Sequence, residues 1–581
     1  MKKKIFGILF ALVLVVSLTL VPAFADDSGA VDTDSDACTD ILVGNEATVD
    51  GSTIGTYSCD GPPFPRIEVV PGETYKPGTM MSIYCKPSFY PGAKTRNYEQ
   101  WLEYIAEEPV LLAEIPQVEE TYRYVDIYVQ YDGRHVGGIN EYGLTTGETT
   151  IGGRSELRNE NGLMFAYSDY RESSLLVLAL QRAKTAREAI QVMGSLAEEY
   201  GYIQSGEHIT VSDGNEVWAF EIFGPGEDWT LGSLEPGALW CAQRIPDGEV
   251  GVSANRSRIG EIDLDDPDYF MASPNVYSFA EDMGWWDGTS TFVWYEAYGP
   301  KERRSSIIRE WRVLSLVAPS LGLPPPPSTG EQRYPFSVEP DELLSVQDVM
   351  ALHRDTLEGT PYDVTEDPAF YLDGEKSPLA CPWGPRNLHK LLGVSSERVV
   401  GTSSSTFTYV SQVRADLPDP IKGCLWFGSA QAPITCYAPV YSGVTELPEG
   451  WYDMEFNQVS RANPWWAFTL VINLAFTEYQ NAIEDVKGVR DPAEATFFAQ
   501  QPEMESVVQA LYDSNRSEVA AQKLAEKLVT NYTNSCMNAI SDGYWELVDY
   551  MLLKYCADRV GGALLILPTI ECPPVPTNPG K

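Results

Sequence analysis

The sequence predicts an α+β fold with a helical C-terminal region, and three features carry that prediction. Short runs rich in β-branched and aromatic residues recur along the first two thirds, punctuated by Asp50-Gly51 and Asp213-Gly214, dipeptides suited to tight hairpin turns. One amphipathic stretch, 174–200, interrupts them: Leu176, Leu180, Ala183, Ile190, Met193 and Ala197 fall at helical spacing ahead of Gly201. From about Trp465 to about residue 560 the pattern turns helical, with Val519, Leu524 and Leu528 on one stripe. At 581 residues and 44% hydrophobic, the chain can build one large core or two ordinary ones.

In chain order, Lys2 to Lys4, the apolar run Ile5 to Val21 and Ala23-Phe24-Ala25 have the three parts of a secretory signal peptide cut after Ala25, which implies a secreted, extracellular protein. Residues 26–37 are polar and acidic and read as a spacer, placed to act as a propeptide covering the α-amine of Cys38. Strands are expected at 39–48 and 52–58 around Asp50-Gly51. A Pro/Gly-rich loop region follows at 61–95, then a strand over 122–131, a turn around Asn140, and a strand over 144–151. After the helix, strands are expected at 208–212, 216–223 and 239–245, and again at 405–413, 424–429 and 440–444. Pro324 to Pro327 reads as an internal loop, since strand patterns resume beyond it. The last residues are Pro-rich and expected to be a loose tail, 561–581.

Charge and composition remove several function classes. A net charge of −42 argues against nucleic acid and against an anionic membrane surface. The 10 cysteines are too sparse for a disulfide scaffold and include no CxxC pair. The four histidines are isolated, with no HExxH spacing, and no GxSxG elbow is present. What remains is a cysteine, Cys38, that becomes residue one if the leader and spacer are removed. Such a residue carries nucleophile and base together: the thiol attacks and the freed α-amine takes its proton.

Cys38-Thr39-Asp40-Ile41-Leu42-Val43-Gly44 with Asp50-Gly51-Ser52-Thr53-Ile54 is the first of a series of matching segments. Asn140-Glu141-Tyr142-Gly143-Leu144 with Gly147-Glu148-Thr149-Thr150 is the second. Then come Glu216-Val217-Trp218, Trp240-Cys241-Ala242-Gln243-Arg244, Ser253-Ala254-Asn255-Arg256-Ser257-Arg258 and Arg309-Glu310-Trp311-Arg312. Later segments are Gln412-Val413-Arg414 and Trp465-Trp466-Ala467-Phe468. In this order the chain resembles, from Cys38 to about residue 560, the cysteine dipeptidases of the N-terminal nucleophile (Ntn) hydrolases, relatives of penicillin V acylase and bile salt hydrolase. The resemblance implies a four-layer αββα sandwich, with a catalytic domain over 38–464 and a helical part of the same unit over 465–560.

It also implies roles. Cys38 is the nucleophile, and Asp60 stands where relatives hold the nucleophile's amine. Asn255 matches a donor to the oxyanion, although Asn255-Arg256-Ser257 is also a glycosylation sequon. Arg309 matches an arginine beside the nucleophile, with Arg312 as the alternative register. Many relatives carry an arginine three residues before the aspartate; Tyr57 stands there instead, so no arginine role carries over. Glu148 is the candidate partner for a substrate ammonium, whose burial demands a carboxylate, with a structural ion pair as its competing role. Asn140 contacts substrate or shapes its turn. The implied reaction hydrolyses a dipeptide through an acyl-enzyme, with a small peptide as partner, room for a homo-oligomer, and no metal or organic cofactor. The rivals are an acylase cutting a non-peptide amide and a catalytically silent secreted binding protein.

Overall fold

The computed structural model describes residues 38–61, 64–86, 103, 106–129, 133–327, 332–384, 386–454, 458–514 and 517–556. The expected leader at 1–25, the spacer at 26–37 and the tail at 561–581 lie outside these residues. Five strands carry what matters for function: β1 (Asp40–Val43), β2 (Ile54–Asp60), β3 (Thr145–Thr150), β4 (Val250–Ser253) and β5 (Ser405–Val413).

Two large antiparallel sheets form the centre. The first has seven strands, running from Ser337–Val338 through β4, β1, β2 and β5 to Gly423–Ser429 and Ala438–Tyr441. The second has eight, in the order Phe270–Ala272, Leu239–Arg244, Val217–Phe223, Glu207–Ser212, β3, Arg134–Asn140, Tyr124–Val129 and Pro65–Val70. β1 and β2 pair as expected, but the first strand stops at Val43 instead of running to 48: a 3-10 turn at Asn45–Ala47 follows it, and Asp50-Gly51 turns within a longer connection. Asp50 Oδ1 accepts from Ser52 N at 3.2 Å and Ser52 Oγ at 2.6 Å, and Gly51 takes φ +71°, a left-handed conformation that favours glycine.

The sheets approach closely where β3 faces β2 and β5. A Cβ on Gly147 would stand 2.7 Å from Tyr409 Oη and 2.8 Å from Tyr57 Cβ, so only glycine lets Tyr409 donate to the Thr146 carbonyl at 2.7 Å. On the second sheet pack α1 (Leu175–Arg182) and α2 (Ala186–Tyr200). Asn140 holds α1 through the Leu180 and Ala183 carbonyls, and Trp240 Nε1 donates to Glu198 of α2 at 2.7 Å. α3 (Arg304–Val317) follows in sequence; it buries Ile307, Ile308, Trp311, Leu314 and Val317, and Pro319 ends it. On the first sheet pack three C-terminal helices, α4 (Pro464–Ala475), α5 (Tyr479–Asp513) and α6 (Glu518–Met551). Trp426 stacks on Phe498 at 4.1 Å, Tyr441 donates to Glu505 at 2.9 Å, and Thr533 donates to the Pro439 carbonyl at 2.9 Å. α5 tolerates Pro492 and Pro502 in its interior because its buried stripe of Val486, Val489, Phe497, Met504 and Val508 supplies the stability that two missing backbone bonds remove.

Two further expectations need correcting. The region 61–95 is not all loop: it holds strands Pro65–Val70 and Met80–Cys85. Pro65 opens an edge strand, where its missing N–H interrupts no ladder. The helix expected over 174–200 is two helices. Thr185 accepts from Glu188 N at 3.3 Å while Glu188 accepts from Lys184 N at 2.8 Å, a capping arrangement that starts a new helix.

Candidate active site

Cys38 stands at the start of β1, buried to 3% exposure. The antiparallel register Val43↔Ile54, Leu42↔Gly55 and Thr39↔Ser58 continues to place Cys38 opposite Cys59 and Asp40 opposite Tyr57. β1 carries one inward row, Cys38 and Asp40; β2 carries the matching row, Tyr57 and Cys59. All four are buried between the sheets.

Arg309 organises the end of this strand. It projects from α3, fully buried. Its Nη1 donates to the Cys38 carbonyl at 2.5 Å and to Thr39 Oγ1 at 2.9 Å; its Nη2 donates to the Ala254 carbonyl at 3.1 Å and to Asn255 Oδ1 at 2.9 Å. A planar fork of donors makes such a four-way junction possible, where an ammonium would not. One side chain therefore binds the start of β1 to the end of β4. Arg312 points elsewhere, into a pair with Asp355 at 2.6 Å, so of the two registers it is Arg309 that reaches Cys38.

Asn255 follows β4 with φ +67°, a conformation costing most residues energy but tolerated by asparagine. Its Nδ2 donates to the Thr150 carbonyl at 3.0 Å. The neighbouring residues form a second clasp. Glu310 accepts from Arg256 Nε at 2.6 Å and from Arg258 Nη1 at 2.7 Å. Burial opposes the Glu310 charge, yet the two guanidiniums hold its pKa below the usual carboxylate range. Arg309–Asn255 and Glu310–Arg256 thus join consecutive residues of α3 to consecutive residues of the loop, which fixes Asn255. At 2% exposure Asn255 is too buried to serve as a glycan acceptor.

Asp60 ends β2. It accepts from Arg398, from Ser404 Oγ at 3.1 Å and from Ser405 Oγ at 3.1 Å. Burial raises its pKa, against the pull of Arg398 and Arg309. Glu148 enters from β3 at 1% exposure and accepts from Tyr57 Oη, which itself lies 4.0 Å from Cys38 Sγ. The Cys38 thiol is pushed well above its ordinary pKa, first by a hydrogen bond with Cys59, then by burial, then by the charges of Glu148 and Asp60. At neutral pH the thiol keeps its proton, so an attacking sulfur here needs a base.

Cys38, Asp60, Asn255, Arg309 and Glu148 come together around one strand end. Asn140 does not join them: its amide donates to the Leu180 and Ala183 carbonyls and its Oδ1 accepts from Tyr142 and Leu144 N–H groups. Of the two roles open to it, those bonds are the ones that shape a turn. Sequence reasoning missed Arg398, Ser404 and Ser405, which hold Asp60, and the Glu310 clasp. A signal for the clasp exists: Arg309-Glu310 sits charged among Ile307, Ile308 and Trp311 on a buried helix face. Among the described residues no group of three His, Cys, Asp or Glu side chains converges as a metal site.

Comparison with known proteins follows the same segments. The family model for peptidase family C69 matches residues 37–491. Dipeptidase A of Lactobacillus helveticus is 23% identical over 531 residues, covering 89% of this chain and 98% of its own. A probable dipeptidase of Latilactobacillus sakei is 23% identical over 457 residues, covering 77% of this chain and 83% of its own. A dipeptidase of Bifidobacterium longum is 23% identical over 482 residues, covering 77% and 79%. The match begins one residue before Cys38 and takes in every site residue described above, and on that evidence the chain belongs to peptidase family C69.

Proposed function

We propose that the protein is a secreted dipeptidase of the Ntn class, in which Cys38 becomes the first residue and attacks the peptide carbonyl. The observation that carries this reading is the Arg309 junction, which ties the Cys38 carbonyl to the Asn255 side chain although 217 residues separate them in sequence. The order of helices, sheet, sheet and helices supports the αββα reading of the fold. The dipeptidase names of the relatives support the substrate class.

The chemistry follows from the surroundings of the thiol. A protonated, buried Cys38 cannot act as a preformed thiolate, so its own α-amine, once freed, takes the proton as sulfur attacks. Arg309 holds the residue by its carbonyl and keeps the thiol in place before and after the preceding bond is cut. Asp60, carried one residue beyond Cys59, positions the amine. The negative oxygen of the tetrahedral intermediate is met by the amide of Asn255, which the Thr150 carbonyl and Arg309 hold in place. The amine returns the proton to the leaving nitrogen, and water releases the acyl group from sulfur.

Intact-mass analysis of active protein tests the reading: the chain is expected to begin at Cys38. Cys38→Ala is expected to abolish hydrolysis of dipeptides in a folded protein, and alkylation to do the same to wild type. Full activity with Asp26 as the first residue would falsify the proposal.

A further inference from the structure

One buried nucleophilic group takes no part in the proposed reaction: Cys59, fully buried on β2. It stands opposite Cys38. Thr39 and Ser58 exchange both backbone bonds, Thr39 N donating to the Ser58 carbonyl at 3.1 Å and Ser58 N to the Thr39 carbonyl at 3.0 Å. In an antiparallel ladder the pair next to such an exchange is not hydrogen-bonded, and its Cα atoms approach to about 4.5 Å. Cys38 and Cys59 occupy that place, on the same inner face as Asp40 and Tyr57. A disulfide joins Cα atoms roughly 4.4–6.8 Å apart, so the register meets its first requirement.

The side chains meet the second. Both thiols are reduced, and a hydrogen bond joins them. Both backbones are held: Arg309 Nη1 donates to the Cys38 carbonyl at 2.5 Å, and Cys59 lies on an inner strand, paired with Phe407 of β5. The Cys59 thiol donates weakly to the Asp60 carbonyl at 3.7 Å, a bond lost at little cost. Closing a bond between the sulfurs therefore takes rotation of two side chains and no shift of strands.

We propose that Cys38 and Cys59 close into a reversible disulfide, with Cys59 as the redox partner of the residue that attacks the peptide. The oxidant is a low-molecular-weight disulfide. The Cys38 sulfur attacks one of its sulfurs, the external S–S bond breaks, and the first small thiol leaves with the Cys38 proton. The Cys59 sulfur then attacks the Cys38 sulfur of the mixed disulfide, and the second small thiol leaves with the Cys59 proton. Two protein thiols are oxidised and one external disulfide is reduced to two thiols. Cys59 needs no path to solvent, because it reacts only with Cys38; the reagent needs the access to Cys38 that a peptide needs. Surroundings outside the cell, as proposed for this protein, favour the closed form. On the reading of Cys38 as the nucleophile, closure stops hydrolysis and reduction restores it; the bond itself does not depend on that reading.

The test equilibrates wild type and Cys59→Ser with glutathione disulfide, alkylates the remaining thiols and maps linked peptides by mass spectrometry. Wild type is expected to yield a Cys38–Cys59 linked peptide, lighter by two hydrogens than the two free peptides, with no glutathione on Cys38. It is expected to lose hydrolysis of Ala-Ala in proportion to the linked fraction and to regain it in dithiothreitol. Cys59→Ser lacks the second thiol and is expected to retain glutathione on Cys38. A wild type that retains glutathione on Cys38 as the variant does, links Cys38 to another cysteine, or keeps both thiols reduced would overturn the proposal. If the melting curve shows that Cys59→Ser folds poorly, wild type decides alone, since the linkage is read on its own peptides. Linked protein that cleaves Ala-Ala as fast as reduced protein would support the bond and overturn Cys38 as the nucleophile, so the two readings fail separately.

Discussion

The two flanks of Cys38 are built from opposite materials. On one side, toward the middle of the sheets, stand a phenol and carboxyl groups: Tyr57, Glu148 and Asp40. On the other stand the guanidinium of Arg309 and the amide of Asn255, with Asp60 enclosed by Arg398 and two serines. The first flank works on charge. Asp40 is buried, its pKa driven up by burial and by Glu148 despite a bond from Thr210 at 2.7 Å, and Glu148 also raises the Cys38 pKa, behind a hydrogen bond with Cys59 and burial. The second flank works on position, through fixed bonds to carbonyls and a clamped loop. The flanks overlap at Asp60, whose charge also raises the Cys38 pKa, so on the proposed reading position and charge are open to separate disruption only at Asn255 and Arg309 on one side and at Glu148 and Tyr57 on the other.

The largest effect is expected on the positioning flank. Under the proposed mechanism, in which the bond donated by Asn255 strengthens as the oxyanion forms, Asn255→Ala is expected to lower kcat by ~10²–10³, with far less change in KM. A change confined to KM would reassign Asn255 to substrate binding. Arg309→Lys keeps the charge and loses the fork, so it is expected to lower kcat by at least the same factor. It is also expected to destabilise the fold by about 1–3 kcal/mol in chemical denaturation, for the carbonyls left unpaired. A wild-type kcat in Arg309→Lys would show that charge, not geometry, is what Arg309 supplies.

A smaller effect is expected on the charge flank. If Glu148 also holds the substrate ammonium, N-acetylation of a dipeptide is expected to lower kcat/KM by roughly ten- to a hundredfold, and Glu148→Gln to shrink that difference. Equal or faster cleavage of the acetylated substrate by wild type would defeat the dipeptidase reading. The same variant sharpens the comparison through pH. Because the Glu148 charge raises the thiol pKa, its removal is expected to move the midpoint of Cys38 alkylation to lower pH. An unchanged or higher midpoint would contradict that account.

How much of this was open to a reader of the sequence depends on the range of each interaction. The strand over 405–413 follows from local alternation and forms over the expected residues, Ser405–Val413, whereas the strand expected over 39–48 stops at Val43, where a 3-10 turn takes over. The strand at Pro65–Val70 was hidden because a proline at an edge reads, locally, as a loop. Cys38, Asp60, Asn255 and Arg309 are legible through likeness of segments. Arg398 is not: it meets Asp60 across 338 residues of chain, at a place defined only when β5 pairs with β2, and no periodicity marks it. Tyr57 is an intermediate case. Its departure from an arginine is visible in the sequence, but its contact with Glu148 depends on how closely the sheets meet at Gly147.

That contact yields the smallest expected effect and the finest division between the flanks. Tyr57 Oη donates to a carboxylate that is 1% exposed, so Tyr57→Phe removes a charge-assisted bond while keeping the ring that packs edge-on to Phe407 at 5.1 Å. The cost to stability is expected to be about 1–3 kcal/mol, since the buried carboxylate loses a donor. Against an amide the same bond is a neutral one and worth less. The double variant Tyr57→Phe/Glu148→Gln should therefore lose less than the two single variants combined, with a coupling of ~0.5–3 kcal/mol in a double-mutant cycle. Since Tyr57 belongs to the flank that sets charge, kcat for Tyr57→Phe is expected to stay within about tenfold of wild type, well short of the Asn255→Ala loss. A loss as deep as that of Asn255→Ala would place the phenol among the groups that meet the reacting atoms and erase the division between the two flanks. Strict additivity of the two single variants would show that the bond does not couple them.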